Sequence, residues 1–294
     1  MKIGIDLGGS HIGIGIVNEY GKILEKNEIE LNKNENVQEL ILNLIIKEIT
    51  NYINKYNDIE FIGIASPGTP KYGKLTNIVN LGVEELDITA TLNSIFNIPV
   101  KIKNDAKCAA IAEKQYGALK QYKDSVFLCL GTGIGGDVFI AGEELKPTRN
   151  PGLELGHMVI EKNGIQCNCG KRGCFETYCS IKRLKNNIME IMNVSRKIEG
   201  KELIELLKKN SNEKIQELLN EYINNLIIGL SNIIDIFEPQ AICLGGSFVY
   251  FEDILFKPLL EKYYKEKYAF NKEELPEVKI AILGNDAGII GATL

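Results

Sequence analysis

Apolar residues in this chain follow two rhythms. Short apolar runs stop on glycine, and longer stretches repeat every three or four positions. KIGIDL (2–7) and HIGIGIV (11–17) are of the first kind and predict strands on either side of a glycine turn. Asn18 to Gly21 predicts a second turn, and KILEKNEIEL a third strand. Between 36 and 56 the apolar positions Val37, Leu40, Ile41, Leu44, Ile45, Ile49, Tyr52 and Ile53 make a helical stripe. FIGIAS (61–66) reads as a short buried strand ending at Pro67-Gly68, and VKIKND (100–105) as another strand. AKCAAIAEKQYG (106–117) reads as a helix closed by glycine.

The pattern then restarts. SVFLCL (125–130) predicts a strand, GTGIGG a turn and DVFIAG (137–142) a strand. IGIDLGGSHIGIGIVNEYGKIL and FLCLGTGIGGDVFIAGEEL thus share one plan of strand, glycine turn, strand, turn. Such similar openings imply a duplicated lobe. Residues 213–237 carry a long amphipathic stripe from Ile215 to Phe237, AICLGGSF follows as strand and glycine turn, and AILGNDAGIIGATL predicts a strand running into a terminal helix. The expectation is an α/β fold of two lobes, with glycine turns aimed at a shared cleft.

Composition narrows the function classes. With 294 residues, 45% apolar, a full core is available. Thirty-four basic against 39 acidic residues give a net charge of −5 with no basic tract, which argues against nucleic acid as a partner. The first apolar run breaks at Asp6 and the glycines, so it does not read as a signal peptide. No run reaches the roughly 18 apolar residues of a membrane span. Seven cysteines, four scattered singly, point to a reducing cytoplasm and to metal rather than disulfides for any cluster.

Two glycine motifs are misleading. GTGIGG matches G-x-G-x-x-G, but it leads into a strand, whereas a dinucleotide fingerprint opens a helix. GTPKYGK from Gly68 nearly matches a phosphate-binding loop, yet Leu75 holds the hydroxyl position and Pro70 interrupts it, so it reads as a turn. What remains is a nucleotide gripped by paired hairpin turns. Backbone N–H groups at Gly8, Gly9, Gly131, Gly133, Gly245 and Gly246 would wrap phosphate oxygens, with hydroxyls from Ser10 and Thr132. Asp6 at the end of the first strand would hold Mg²⁺. His11, beside the first turn, reads as incidental. The segment ELGHMVIEKNGIQCNCGKRGCFE (154–176) gathers three cysteines, a histidine and a carboxylate at each end, a composition open to metal or catalytic readings.

Taken together, IGIDLGGS (3–10), NDA (104–106), GTGIGG (131–136), ELGH (154–157), CNCGKRGCFE (167–176) and LGGS (244–247) resemble the ROK family of repressors, open reading frames and sugar kinases. The resemblance spans essentially the whole chain. It implies an actin-like (RNase H-like) ATPase fold with a cleft between its lobes and a structural zinc loop. The small lobe would be 1–117 plus 284–294, and the large lobe 118–283. It implies ATP, Mg²⁺ and Zn²⁺ as cofactors, a small sugar substrate, and a homodimer or homotetramer. Asp105 matches the base that takes the proton of the sugar 6-hydroxyl. Asn104, Glu154, His157 and Glu176 match sugar ligands, with Gly68 and Asn80 at weaker-matched sugar-loop positions. His157, Cys167, Cys169 and Cys174 match the zinc ligands, a closed tetrahedral set. One ring nitrogen of His157 would bind metal and the other face the sugar. The repressors carry an extra N-terminal helix-turn-helix, and a chain opening on its first strand favours the kinase branch.

Three positions depart from the family pattern. Asp137 replaces a usual glycine; a carboxylate near ATP phosphates would have to point away or bind Mg²⁺, and its place at the start of a predicted strand is compatible with facing out. Leu153 replaces a small residue and Val83 an aromatic, both touching the expected sugar pocket. The resulting expectation is an ATP-dependent hexose 6-kinase, with glucose first and N-acetylmannosamine second. Fructose, mannose and N-acetylglucosamine follow. A non-catalytic sugar sensor and a zinc-dependent interaction module are the rival classes.

Overall fold

The computed structural model describes residues 1–31, 37–68, 70, 73–78, 83–148, 153–196, 198, 200–209, 212–266, 268 and 275–294. The chain divides into two compact units, Met1–Lys120 with Asn285–Leu294, and Gln121–Gly284.

The first unit runs β1 (Lys2–Leu7), β2 (His11–Val17), β3 (Ile23–Glu30), α1 (Val37–Lys55), β4 (Phe61–Ser66), β5 (Leu75–Ile78), β6 (Val83–Leu86), α2 (Ile88–Phe96), β7 (Val100–Asn104) and α3 (Asp105–Tyr116). It closes with the C-terminal helix Ala287–Ala292, α9 in chain order. Its main sheet has the order β3-β2-β1-β4-β7. The first three strands pair antiparallel, and β4 and β7 add in parallel. Period-two alternation gives the sheet two different faces. Ile3, Ile5, Ile12, Ile14 and Ile16 are fully buried in one core with Ile41, Ile45 and Ile49 of α1. The opposite face carries Gly4, Gly13, Gly15 and Gly63, where α9 lies directly on the strands.

In the second unit, β8 (Ser125–Leu130), β9 (Ile134–Ile140) and β10 (Glu143–Glu144) precede α4 (Glu176–Cys179), α5 (Ile181–Ile191), α6 (Gly200–Lys209) and α7 (Glu213–Phe237). Then come β11 (Ala241–Gly245), α8 (Lys257–Tyr263) and β12 (Glu277–Ile280). The sheet order is β10-β9-β8-β11-β12, again with two antiparallel pairings followed by two parallel ones. The same order and strand directions therefore occur twice in the chain. Helix α7 buries Ile215, Leu219, Tyr222, Leu226, Leu230, Ile233 and Ile234, the stripe its periodicity marks. Among the described residues no helix is long and apolar enough to cross a membrane.

Three local expectations need correction. The last strand is Glu277–Ile280, not the apolar run from Ala281, and Ile282 is 67% exposed. The second glycine turn is shorter than GTGIGG, because β9 already starts at Ile134. Asp137 consequently lies inside β9, paired with Phe127 and fully buried, not outward-facing.

The glycine-lined packing of α9 makes a test in which two effects compete. Gly291→Ala would favour α9 by about 1 kcal/mol on helix propensity alone. The added Cβ would, however, sit 1.8 Å from the Cys108 carbonyl oxygen of α3, a backbone atom that cannot swing away. Overpacking of this kind costs about 1–3 kcal/mol and reverses the sign. G291A is expected to unfold at lower denaturant concentration than the parent; equal or greater stability would show that α9 does not pack this closely.

Candidate active site

The first unit brings its polar groups to the ends of β1 and β7. Gly8 N–H donates to the His11 carbonyl (2.9 Å), closing the β1–β2 turn. An added Cβ on Gly8 would lie 2.9 Å from that same oxygen. Asp6 is the next-to-last residue of β1, with its carboxylate against α9, 2.5 Å from where a Cβ on Gly288 would stand. Burial and then the negative charge of Asp105 raise its pKa from 3.8 to about 7, with Lys26 pulling the other way. Lys26, on β3, lies 2.6 Å from Glu28 Oε1 and 2.9 Å from Asp286 Oδ1. Asp6, Gly8, His11, Lys26 and Asn285 line a cavity of about 300 Å³. His11, read as incidental, thus belongs to this cluster, and Ser10 Oγ lies 2.9 Å from its Nδ1.

At the end of β7 the helix cap is Asn104. Its Oδ1 accepts from Lys107 N–H (3.1 Å), while its Nδ2 donates to the Gly68 carbonyl (2.7 Å). One asparagine therefore starts α3 and fixes the loop after β4. Asp105 is the first helical residue, and its Oδ1 accepts from Ala106 N–H at 2.7 Å. Burial raises its pKa, opposed by backbone hydrogen bonds from Ala106 and from its own N–H. Asn80 lies outside the described residues. Val83 is buried in the core of this unit.

In the second unit ELGH forms a single 3₁₀ turn, Leu155–His157, with His157 N–H donating to the Glu154 carbonyl (2.9 Å). That turn stacks side chains three apart, and His157 Nε2 lies 3.9 Å from Glu154 Oε2. The other ring nitrogen, Nδ1, lies 3.6 Å from Cys167 Sγ and 3.7 Å from Glu176 Oε1. Cys169 and Cys174 sulfurs are 3.6 Å apart. One ligand atom each from His157, Cys167, Cys169 and Cys174 falls within a 4.8 Å span. Three sulfurs and an imidazole nitrogen so grouped fit a tetrahedral zinc ion. The loop has its own supports: Lys171 Nζ donates to the His157 carbonyl (2.7 Å), and Ile165 N–H to Tyr178 Oη (2.9 Å).

Glu176 joins this cluster to the second glycine turn. Its Oε1 accepts from Cys167 (3.3 Å), and its Oε2 from Ile134 N–H (3.4 Å). A Cβ on Gly133 would come within 2.6 Å of Oε2, so the turn needs glycine there for the carboxylate to approach. Gly246 has φ +68° and closes against the Leu130 carbonyl, placing the turn after β11 beside the end of β8. Leu153 is partly buried against the core of this unit.

The raised carboxylates carry a stability signature. Between about 4 and 7 the folded chain holds a proton on Asp6 that the unfolded chain has released, so stability falls as pH rises through that window. The shift from 3.8 to about 7 corresponds to at most about 4 kcal/mol. Asp6→Asn is expected to be more stable than the parent at pH 8 without divalent cation and to have a shallower pH dependence. The residual slope comes from Asp105, raised by its own burial. Denaturant titrations from pH 5 to 8 check this; parallel curves for the two proteins would show that Asp6 ionises freely.

A sequence model described as the ROK family matches residues 2–294. The glucokinase of Thermotoga maritima is 31% identical, over 99% of this chain and 95% of that protein. The N-acetylmannosamine kinase of Haemophilus influenzae is also 31% identical, over 99% and 93%. The xylose repressor of Bacillus spizizenii is 32% identical over 84% of this chain, which spans 64% of that repressor's length. Among solved structures, a ROK hexokinase from Thermus thermophilus has a TM-score of 0.84 at 28% identity, covering 99% of this chain and 96% of that one. A ROK glucokinase from Streptomyces griseus, solved with glucose and AMPPNP, has a TM-score of 0.82 at 25% identity, covering 99% and 97%.

Proposed function

Because the chain belongs to the ROK family, we propose that it is an ATP-dependent sugar kinase that phosphorylates a 6-hydroxyl, with glucose as first substrate. Its α/β fold is of the actin-like ATPase type. The observation that carries the reading is the clustering of Glu154, His157 and Glu176 around the Cys₃His group, with Glu176 accepting from Ile134 N–H directly after the Gly131–Gly133 turn.

In this reading Asp105, at the start of α3, accepts the proton of the sugar hydroxyl as its oxygen bonds to the γ-phosphorus. The bond to the β–γ bridging oxygen breaks, and ADP leaves with that electron pair. Glu154 and Glu176 accept hydrogen bonds from neighbouring sugar hydroxyls, which orients the ring. His157 Nε2 adds a further contact, with Nδ1 left for zinc. Asn104 and Gly68, already hydrogen-bonded to each other, serve as sugar ligands, and Asn80 is assigned the same role. Glycine N–H groups at Gly8, Gly9, Gly131, Gly133, Gly245 and Gly246, with the Ser10 and Thr132 hydroxyls, hold phosphates. Asp6 would hold Mg²⁺, which supplies positive charge against the phosphate oxygens. Zinc in the Cys₃His group would have all four positions filled by protein and serve structure alone. A zinc-thiolate site suits the reducing cytoplasm, and assembly as a homodimer or homotetramer belongs to the same proposal.

N-acetylmannosamine is the second substrate reading, favoured by the Haemophilus influenzae relative. The test is sugar-dependent ADP release across a panel of hexoses and N-acetylhexosamines, ranked by kcat/KM. Glucose is expected to lead. An N-acetylhexosamine leading would move the assignment to that class. No release with any sugar, alongside measurable sugar binding, would establish a sensor, the role favoured by the xylose repressor relative.

A further inference from the structure

The cysteine loop holds two sulfurs in contact but in unequal surroundings. Cys174 is fully buried, its backbone bridges Val159, and the next residue, Phe175, donates its N–H to the Met158 carbonyl (2.8 Å). Of the seven cysteines only Cys169 is exposed. It sits in the turn between the bridged residues Gln166 and Arg172. The adjoining Gly170 has φ +91°, and a Cβ there would meet nothing within 4 Å. Cys169 thus has open space around its turn, while Cys174 is held in place. Their sulfurs are 3.6 Å apart, at van der Waals contact. Cys167 is committed elsewhere: its sulfur lies 3.3 Å from Glu176 Oε1 and 3.6 Å from His157 Nδ1. The cluster therefore divides into a facing pair of sulfurs, one of them open to solvent, and a second pair directed at the carboxylate.

We propose that Cys169 is a site of reversible oxidation by peroxide, closing onto Cys174 as a disulfide that abolishes the metal site and lowers sugar affinity. The proposal rests on the reading of the Cys₃His group as zinc-binding and of Glu176 as a sugar ligand. The Cys169 thiolate attacks one peroxide oxygen. An S–O bond forms, the O–O bond breaks, and the departing hydroxide takes a proton to become water. The Cys174 thiolate then attacks the Cys169 sulfur. The S–S bond forms, the S–O bond breaks, and a second hydroxide leaves as water after taking a proton. Two thiolates, one hydrogen peroxide and two protons give one disulfide and two waters. The sulfurs lose two electrons and the peroxide gains them. Only His157 and Cys167 then remain as ligands, too few for a closed tetrahedral site. Glu176 Oε1 stays engaged with Cys167, as it is at 3.3 Å here, and is withheld from a sugar hydroxyl. A dithiol reductant with added zinc reverses the change.

The test applies stoichiometric hydrogen peroxide to the full chain and follows zinc release into a colorimetric chelator, peptide masses and calorimetric titrations. Trypsin cuts after Lys162, Lys171, Arg172 and Lys182, so a disulfide from Cys169 to Cys174 joins peptide 163–171 to peptide 173–182. The expected result is this joined pair, with fragmentation placing the bond at Cys169 and Cys174 and zinc released in step with it. The glucose Kd should rise roughly tenfold or more, while ATP-analogue affinity stays within a few-fold, which also shows that the oxidised chain is folded. Dithiothreitol with zinc should restore both metal and glucose binding. Unlinked peptides with zinc retained, a bond through another cysteine, or oxidation of Cys169 without linkage would each overturn the proposal while the zinc reading stands. Linkage with unchanged glucose affinity would overturn the control of the sugar site. Untreated protein without zinc would fail the zinc reading, and the proposal with it. Untreated protein that binds zinc but no glucose would fail the sugar reading instead, and linkage with zinc release would still decide the oxidation site.

Discussion

Asp105→Asn is expected to keep sugar binding within a few-fold and to lower kcat by at least about 10²–10⁴-fold, the range general-base catalysis contributes. The substitution isolates proton transfer. The hydrogen bond from Ala106 N–H needs only an oxygen at Oδ1, which asparagine retains. The cap of α3 is Asn104, so the helix start does not depend on Asp105. Burial raises the carboxyl pKa, which strengthens it as a proton acceptor while disfavouring its charged form. Replacing a buried group of this kind with a neutral amide relieves a desolvation cost, so the variant is expected to unfold no earlier than the parent at neutral pH. Steady-state kinetics, sugar titration and thermal unfolding on the same preparation separate loss of chemistry from loss of fold. A variant retaining more than half the parent kcat would remove Asp105 as base, and a sensor would show no turnover to lose.

Parts of this arrangement are legible in the sequence for physical reasons. A glycine turn directly after a buried strand constrains the chain locally, so the hairpins at Gly8 and Gly131 need no tertiary information. The same holds for Asp105, placed where a strand ends and a helix begins. Mistakes arose where an apolar run had two possible registers. AIL at 281–283 is apolar, but the strand is EVKI, with Val278 buried and Ile282 mostly exposed. Asp137 has no outward face to occupy, because consecutive residues Gly136 to Phe139 of β9 are all buried and the strand is covered on both sides. Helix α5 carries a legible signal of its own, since Ile181, Leu184 and Ile188 repeat at helical spacing and are all buried. Lys26 had no local signal at all. A lysine in a strand rich in glutamate reads as solvent-facing, and only the pairing of β1, β2 and β3 brings it near Asp6.

Removing metal from the cysteine loop is expected to impair sugar binding far more than nucleotide binding. Protein purified without chelator should carry one zinc per chain, held by His157, Cys167, Cys169 and Cys174. Without a cation these sulfurs are not equivalent. Burial pushes the Cys167 thiol up to about 12 and raises Cys174, while the Lys171 backbone N–H draws Cys169 down. Zinc binding therefore displaces protons, and metal retention should weaken as pH falls. The protonated Cys167 donates to Glu176 Oε1, a bond that thiolate ligation removes, freeing that carboxylate oxygen for a sugar hydroxyl. Glu154 is linked as well, because His157 Nε2 faces it and Nδ1 faces Cys167. Cys169 is the informative position. It is exposed, whereas Cys174 is fully buried and its replacement would also disturb packing. The loop's anchors at Lys171 and Tyr178 do not involve the Cys169 sulfur, so Cys169→Ser should keep the fold. C169S is expected to lose zinc and to raise the sugar KM by roughly tenfold or more, with ATP-analogue affinity held within a few-fold. Elemental analysis paired with calorimetric titration of each ligand decides it. Zinc-free parent protein with full activity, or a variant that loses nucleotide binding while keeping sugar binding, would refute the assignment.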